Sequence, residues 1–284
     1  MPAKRVTQQG DTRRAVSLLA APLAWLLVVY LGALAALLVT SFFTVDSFTG
    51  QVAQKFTTGN FTDVFGDHAY LNAAVRTVGV AISVTLICAV IAIPMSFYMA
   101  RIAPRATRAV LVALVLTPLW ASYLVKVYSW RTMLTPESGV ISWLLAPFGG
   151  HSPGYGLVGV IVTLTYLWLP YMVMPIYAGL ERLPNSLLDA SADLGASTWT
   201  TMRSVVLPVL KPAVVAGSVF TFSLSLGDYI TVQIVGGKNQ MLGNVVYQNF
   251  SLNLPFAAAV SMIPIAIMVV YLSGIRRTGA LENL

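Results

Sequence analysis

The amino-acid sequence predicts an all-α, polytopic membrane protein with six transmembrane helices. Two observations carry that prediction. The first is composition: 57% of the 284 residues are hydrophobic and only 10% are charged, where soluble domains carry roughly 25% charged residues. The second is the run length of charge-free sequence, since crossing the hydrocarbon takes about 20 apolar residues. The mean hydropathy of +0.78 agrees with both.

Taken in order, residues 15–45 carry no charge and contain "LLAAPLAWLLVVYLGALAALLV". That is longer than the roughly 7–15 apolar residues of a signal-peptide core, and no small-residue cleavage site follows it. The first span is therefore expected at 15–41, uncleaved. The second is expected at 75–100, and the third, a short one, at 109–127. The fourth, at 156–179, contains Pro170 and Pro175, which membrane helices tolerate when neighbours satisfy the freed carbonyls. The fifth is expected at 211–232, continuing past Asp228, and the sixth at 255–275. The whole of 1–284 reads as one transmembrane domain, without repeats or a separate soluble module. Segment 46–72 is the longest polar stretch between spans and has room for a short helix only.

The formal charge of +7 reads as loop asymmetry rather than nucleic-acid affinity, because basic residues collect on cytoplasmic loops. Six spans put both termini on one side. That side holds 12 of the 17 lysines and arginines: Lys4, Arg5, Arg13, Arg14, Arg101, Arg105, Arg108, Arg182, Arg203, Lys211, Arg276 and Arg277. Lys55, Arg76, Lys126, Arg131 and Lys238 fall on the other. Both termini and the 181–211 loop are thus expected in the cytoplasm. Cys88, His68 and His151 supply neither an internal disulfide nor a metal-ligand set.

The cytoplasmic stretch "DASADLGASTWTTMRSVVLP", residues 189–208, is helix-like between long apolar segments. Asp189 and Asp193 are four apart and share a helix face. Ala190, Ala192 and Ala196 keep the surface small, and Gly195 stands where a helix ends or turns. Pro208 and Pro212 mark re-entry toward the membrane. The spacing predicts a short helix, a glycine turn and a second short helix. Spacing alone leaves two readings open, a partner-binding element and a solvated loop helix.

This stretch resembles the EAA loop of permease subunits in ATP-binding cassette importers: Glu-Ala-Ala, three residues, Gly, nine residues, then Ile-x-Leu-Pro. Here the positions read Asp189-Ala190-Ser191, "ADL", Gly195, nine residues, then Val205-Val206-Leu207-Pro208. Three positions depart conservatively and the spacing is intact. The resemblance implies a coupling helix seated in a groove of a separate ATPase, with Asp189, Ala190, Ser191, Asp193, Gly195, Leu207 and Pro208 as its marked positions. It implies two ATPase subunits, a second permease subunit, an extracytoplasmic substrate-binding protein and transport by alternating access in a bacterial cell membrane. No cofactor is expected on this chain. ATP and magnesium would belong to the ATPase, because the chain lacks a Gly-x4-Gly-Lys-Ser/Thr loop. The pieces "TPLWASYLVKVYSW", "LWLPYMVMPIYAGLERLP" and "VGGKNQMLGNVVYQNF" are similar to the first permease subunit of spermidine/putrescine importers. Importers of iron, sulfate, thiamine or phosphonate share parts of them and remain alternatives, as does a stand-alone channel or secondary transporter.

A polyamine cargo directs attention to carboxylates and aromatic rings. Ser218, Thr221, Ser225 and Asp228 follow at three- and four-residue steps, which puts them on one helix face. A carboxylate inside a span is a functional hypothesis by default. Asp228 lies about 24 Å along the helix from Pro212, and Tyr229 adds a ring. The competing roles for Asp228 are capping a broken helix or pairing with Lys126 or Lys238. Trp120, Tyr123 and Trp130 fall near one face of the third span, where cation–π contacts contribute about 0.5–2 kcal/mol each; an interfacial aromatic belt would look the same. Glu137 in "TPESG" is expected to meet the cation, the receptor, or one of Lys126 and Arg131. Tyr166, Trp168 and Tyr171 read as packing. An intramembrane enzyme would need a catalytic pair within the spans, and the sequence offers none.

Overall fold

The computed structural model describes residues 8–277 apart from Ser47, with side chains described from residue 18 onward. Among them, five helices are long and apolar enough to cross a membrane, and a sixth crossing is made if one bent pair counts as a single span. The elements in chain order are α1 (Gln8–Thr40), a two-stranded hairpin of β1 (Thr44–Val45) and β2 (Val52–Ala53), α2 (Gly59–Gly66) and α3 (His68–Phe97). Next come α4 (Arg105–Trp120), α5 (Tyr123–Met133), α6 (Val140–Leu145) and α7 (Leu157–Arg182). The chain ends with α8 (Asn185–Asp193), α9 (Thr198–Thr201), α10 (Leu207–Leu226), α11 (Ile230–Val235), α12 (Leu242–Asn249) and α13 (Leu254–Arg277).

Helix α7 is the axis of the fold. It packs against α3 and α10, and these two pack against each other. Val160, Leu164, Met172, Val173, Ile176 and Leu180 are fully buried along it. Membrane helices have no water to flee from one another, so close approach of small residues supplies the contact. At Gly217 of α10 a Cβ would stand 2.6 Å from the Met172 sulfur and 3.1 Å from its Cα. At Gly179 of α7 it would stand 2.9 Å from the Ala213 Cβ. Pro170 and Pro175 interrupt nothing: α7 runs unbroken from 157 to 182.

The third crossing departs from the expectation of one straight span at 109–127. It is two helices, α4 and α5, meeting at 100°. Ala121 and Ser122 take extended backbone, ψ 145° and 139°, just after Pro118, whose missing N–H already weakens the last turn of α4. The fifth crossing also differs from the expected 211–232. Helical structure is continuous from Thr198 to Leu226, through a π-helical turn at Met202–Val206. It stops at Gly227 and resumes as α11 after Tyr229. Pro208 and Pro212 therefore do not separate a loop helix from a span. Pro208 lies just past the π-helical turn, inside the continuous helix.

The hairpin pairs Thr44 with Ala53 and Val45 with Val52. Within its loop Asp46 accepts from the Thr49 and Phe48 amides, and these bonds hold its carboxyl below the usual value. Asn60 on α2 donates to the carbonyls of Ser41 and Phe43, 2.8 Å each, tying the segment after α1 to the body of the protein.

Candidate functional site

Two places concentrate polar side chains: the α7–α10 connection and the break between α10 and α11. In the first, α8 ends at Asp193 and the chain turns at Gly195, whose φ of +72° is the left-handed conformation that glycine takes without steric cost. The Ser197 side chain then caps α9 by accepting from the Thr200 amide. The result is a helix, a glycine turn and a second helix, but the second helix is the start of α10 rather than a separate piece. Ser191 is buried, and its hydroxyl meets that of Thr201 at 2.7 Å, so it fastens α8 to the following turn. Asp189, Ala190 and Asp193 are exposed. Leu194 at 87% exposure and Trp199 at 71% project from the same elbow. Leu207 and Pro208 sit in the first turn of α10.

Arg101 was noted in the sequence only as one of the cytoplasmic charges, and the structure gives it a larger part. It lies in the π-helical turn, Tyr98–Ile102, that extends α3. Its guanidinium donates to the Leu180 and Leu183 carbonyls and to the Asn185 amide oxygen. One cation thus holds the last turn of α7 and the first turn of α8 together, across about 80 residues of sequence. Nearby, Arg108 reaches the Ala100 carbonyl and stands 3.7 Å from the Glu181 carboxylate.

The second place surrounds Asp228, which is 7% exposed. One carboxylate oxygen accepts from the Thr231 amide at 2.8 Å, capping α11. The other accepts from the Tyr123 hydroxyl and, at 3.2 Å, from the Thr231 hydroxyl. Neither Lys126 nor Lys238 pairs with it among the described residues; the ion pair found there is Arg108–Glu181. Asp228 is therefore a buried carboxylate held by neutral donors. Tyr123 begins α5, directly after the 100° bend, so its hydrogen bond joins the two broken crossings.

The remaining expected residues scatter. Thr221 and Ser225 are fully buried. Thr221 turns back to the Gly217 carbonyl and reaches Thr85 at 3.4 Å, and Ser218 pairs with Tyr271; these hydroxyls make internal contacts, not an open polar face. Tyr229 stacks on Tyr247 at 4.8 Å. Trp120 is 92% exposed at the end of α4. The bend separates it from Tyr123 and Trp130, which lie on α5; Tyr123 stacks on Trp168 of α7 and Trp130 meets Tyr166 of α7 at a tilt. Glu137 is exposed in the turn after α5 and pairs with neither Lys126 nor Arg131; Arg131 lies over the Tyr155 ring instead.

Residues 92–277, which hold both places, match the family described as the binding-protein-dependent transport system inner membrane component. The chain belongs to this family. It is the membrane permease subunit of an ATP-binding cassette transporter, in which a separate subunit hydrolyses ATP. The inner membrane ABC transporter permease protein YdcU of Escherichia coli (strain K12) is 42% identical over 94% of this chain and 90% of its own length. The spermidine/putrescine transport system permease protein PotB of Haemophilus influenzae (strain ATCC 51907 / DSM 11121 / KW20 / Rd) is 32% identical over 84% of this chain and 85% of its own. Among solved structures, a bacterial alginate ABC transporter in complex with an alginate pentasaccharide-bound periplasmic protein has a chain of similar fold. It superposes with a TM-score of 0.69 at 14% identity, covering 93% of this chain and 94% of that one. The inward-facing MetNI methionine ABC transporter gives 0.58 at 18% identity, over 75% and 96%. The permease is thus a multi-pass inner-membrane protein with the fold of this importer class.

Proposed function

We propose that this permease forms half of the pathway of a polyamine importer that works by alternating access. It would pair with a second permease subunit above two ATPase subunits, seat residues 189–208 in a groove of an ATPase subunit, and receive cargo from an extracytoplasmic binding protein. ATP and magnesium would sit on the ATPase. Both termini and the α8–α9 elbow would lie in the cytoplasm, as the distribution of basic residues favours. The exposed Leu194 and Trp199 support a partner at that elbow, since large apolar side chains projecting together from a water-facing loop mark an interaction site.

For the cargo, the observation that carries the reading is Asp228: a buried carboxylate beside broken helices, with no lysine or arginine paired to it among the described residues. Burying an anion is costly unless it is paired. Tyr123 and Thr231 satisfy it with hydrogen bonds, and an ammonium group would add the missing charge. Similarity to permeases named for spermidine and putrescine points the same way.

The test is uptake of labelled spermidine by vesicles holding the full transporter. Asp228→Asn keeps the shape and removes the charge. It is expected to lower spermidine uptake at least tenfold, the loss of about 1.4 kcal/mol or more, while the ATPase still co-purifies. Unchanged uptake kinetics would remove Asp228 from the pathway.

A further inference from the structure

Sequence reading assigns Trp168 and Tyr171 to packing, but the structure sets them in a series. Tyr123, whose hydroxyl meets Asp228, stacks on Trp168 with ring centroids 6.0 Å apart and planes 18° from parallel. Trp168 meets Tyr171 at 5.9 Å, and Tyr171 meets Phe220 at 6.4 Å. Four rings from α5, α7 and α10 thus lead away from one buried carboxylate. The first three are half-buried and the last, Phe220, is 54% exposed, so the row runs from the interior to an open face. Phe220 precedes Asp228 by eight residues, about 12 Å along a helix, in the direction of the coupling elbow.

The spacing has chemical meaning. An extended chain advances about 1.2 Å per bond, so two nitrogens linked by four methylenes stand roughly 6 Å apart, and by three methylenes roughly 5 Å. Ring centroids about 6 Å apart therefore lie at the interval of successive ammonium groups, with the Tyr123 and Trp168 planes 18° apart and the Trp168 and Tyr171 planes 61° apart. Each face attracts an alkylammonium group, and the methylenes between lie against apolar ring surface. An anion would be repelled by the negative ring faces.

We infer that Tyr123, Trp168, Tyr171 and Phe220 form a cation–π track along which the ammonium groups of a linear polyamine step from Asp228 toward the coupling end of the permease. The inference rests on the polyamine reading above and adds four residues and a direction to it.

The experiment measures ATP-driven uptake by the complete transporter for amines with different numbers of nitrogens, at saturating binding protein. Phe220→Leu and Tyr171→Leu are each expected to slow spermidine uptake between about 2-fold and 30-fold, the range of one cation–π contact, and to slow putrescine less. Phe220→Trp and Tyr171→Phe keep a π face and are expected to retain the spermidine rate. Co-purification with the ATPase confirms that each variant folds and assembles. Equal loss for every amine, no loss, or the same loss with aliphatic and aromatic replacements would overturn the track while leaving the cargo assignment standing. A wild-type transporter that imports no amine would fail at an earlier arm, removing the cargo assignment and the track with it.

Discussion

Helices α1 and α7 are both long, apolar and proline-containing, yet none of the apolar stretch of α1 is buried whereas half of that of α7 is. α1 rests against α13 and otherwise presents Trp25, Leu27, Val28 and Tyr30 outward. α7 is surrounded by α3, α10, α4, α5 and α11. Hydropathy cannot separate the two, because a side chain suited to lipid is equally suited to a membrane-protein interior. Small residues alone do not distinguish them, since α1 carries Gly32 with open space around it, whereas Gly179 of α7 closes on Ala213 and Gly217 of α10 closes on Met172. Polarity follows the same division: both polar places described here border α7.

Substitutions sharpen that contrast, beginning with the largest effect. Gly217→Leu would drive a side chain into the Met172 backbone. Overpacking costs about 1–3 kcal/mol and more where backbone must move, so loss of folded protein in detergent-resistant expression assays is expected. Recovery of wild-type yield would show that α7 and α10 are not so closely apposed. Arg101→Gln comes next. It leaves two carbonyls and an amide short of a charged donor, each such bond contributing about 1.5–3 kcal/mol. Uptake should fall about tenfold or more while the ATPase, still bound, hydrolyses ATP; parallel loss of both activities would mean that Arg101 serves folding alone. Ser191→Ala removes one hydroxyl pair between α8 and the next turn, worth about 1 kcal/mol, and a thermal shift of a few degrees with retained uptake is expected. Leu27→Ala on α1 should change the stability of the isolated permease by less than about 0.5 kcal/mol. A larger change would show that α1 is covered in the form measured.

Much of the fold is legible in the sequence because lipid demands long apolar helices, and charge-free windows display them directly. The helix–glycine–helix elbow is legible too, since Gly195 supplies the one positive φ the turn requires. The bends are not. Apolar composition continues through Ala121, and Pro118 marks a weakened turn without saying that the chain will swing by 100°. That swing undoes the face that Trp120 and Tyr123 would share on a straight helix. The role of Asp228 as a cap of α11 was one of the alternatives its position suggested. Its partnership with Tyr123 joins residues 105 apart in sequence, and the grip of Arg101 on Leu180, Leu183 and Asn185 spans a similar distance. Neither leaves a local pattern to read.

The proposed function depends on energy transfer through the α8–α9 elbow, and disulfide cross-linking tests it most directly. Leu194→Cys places a thiol at the exposed tip, and the native Cys88 is buried and out of reach of the reagent. In the complete transporter, oxidative cross-linking with single cysteines along the ATPase surface groove is expected to join Leu194→Cys to the ATPase, with a yield that changes when ATP is bound. Cross-linking to the binding protein instead, or to neither partner under any nucleotide condition, would contradict the account.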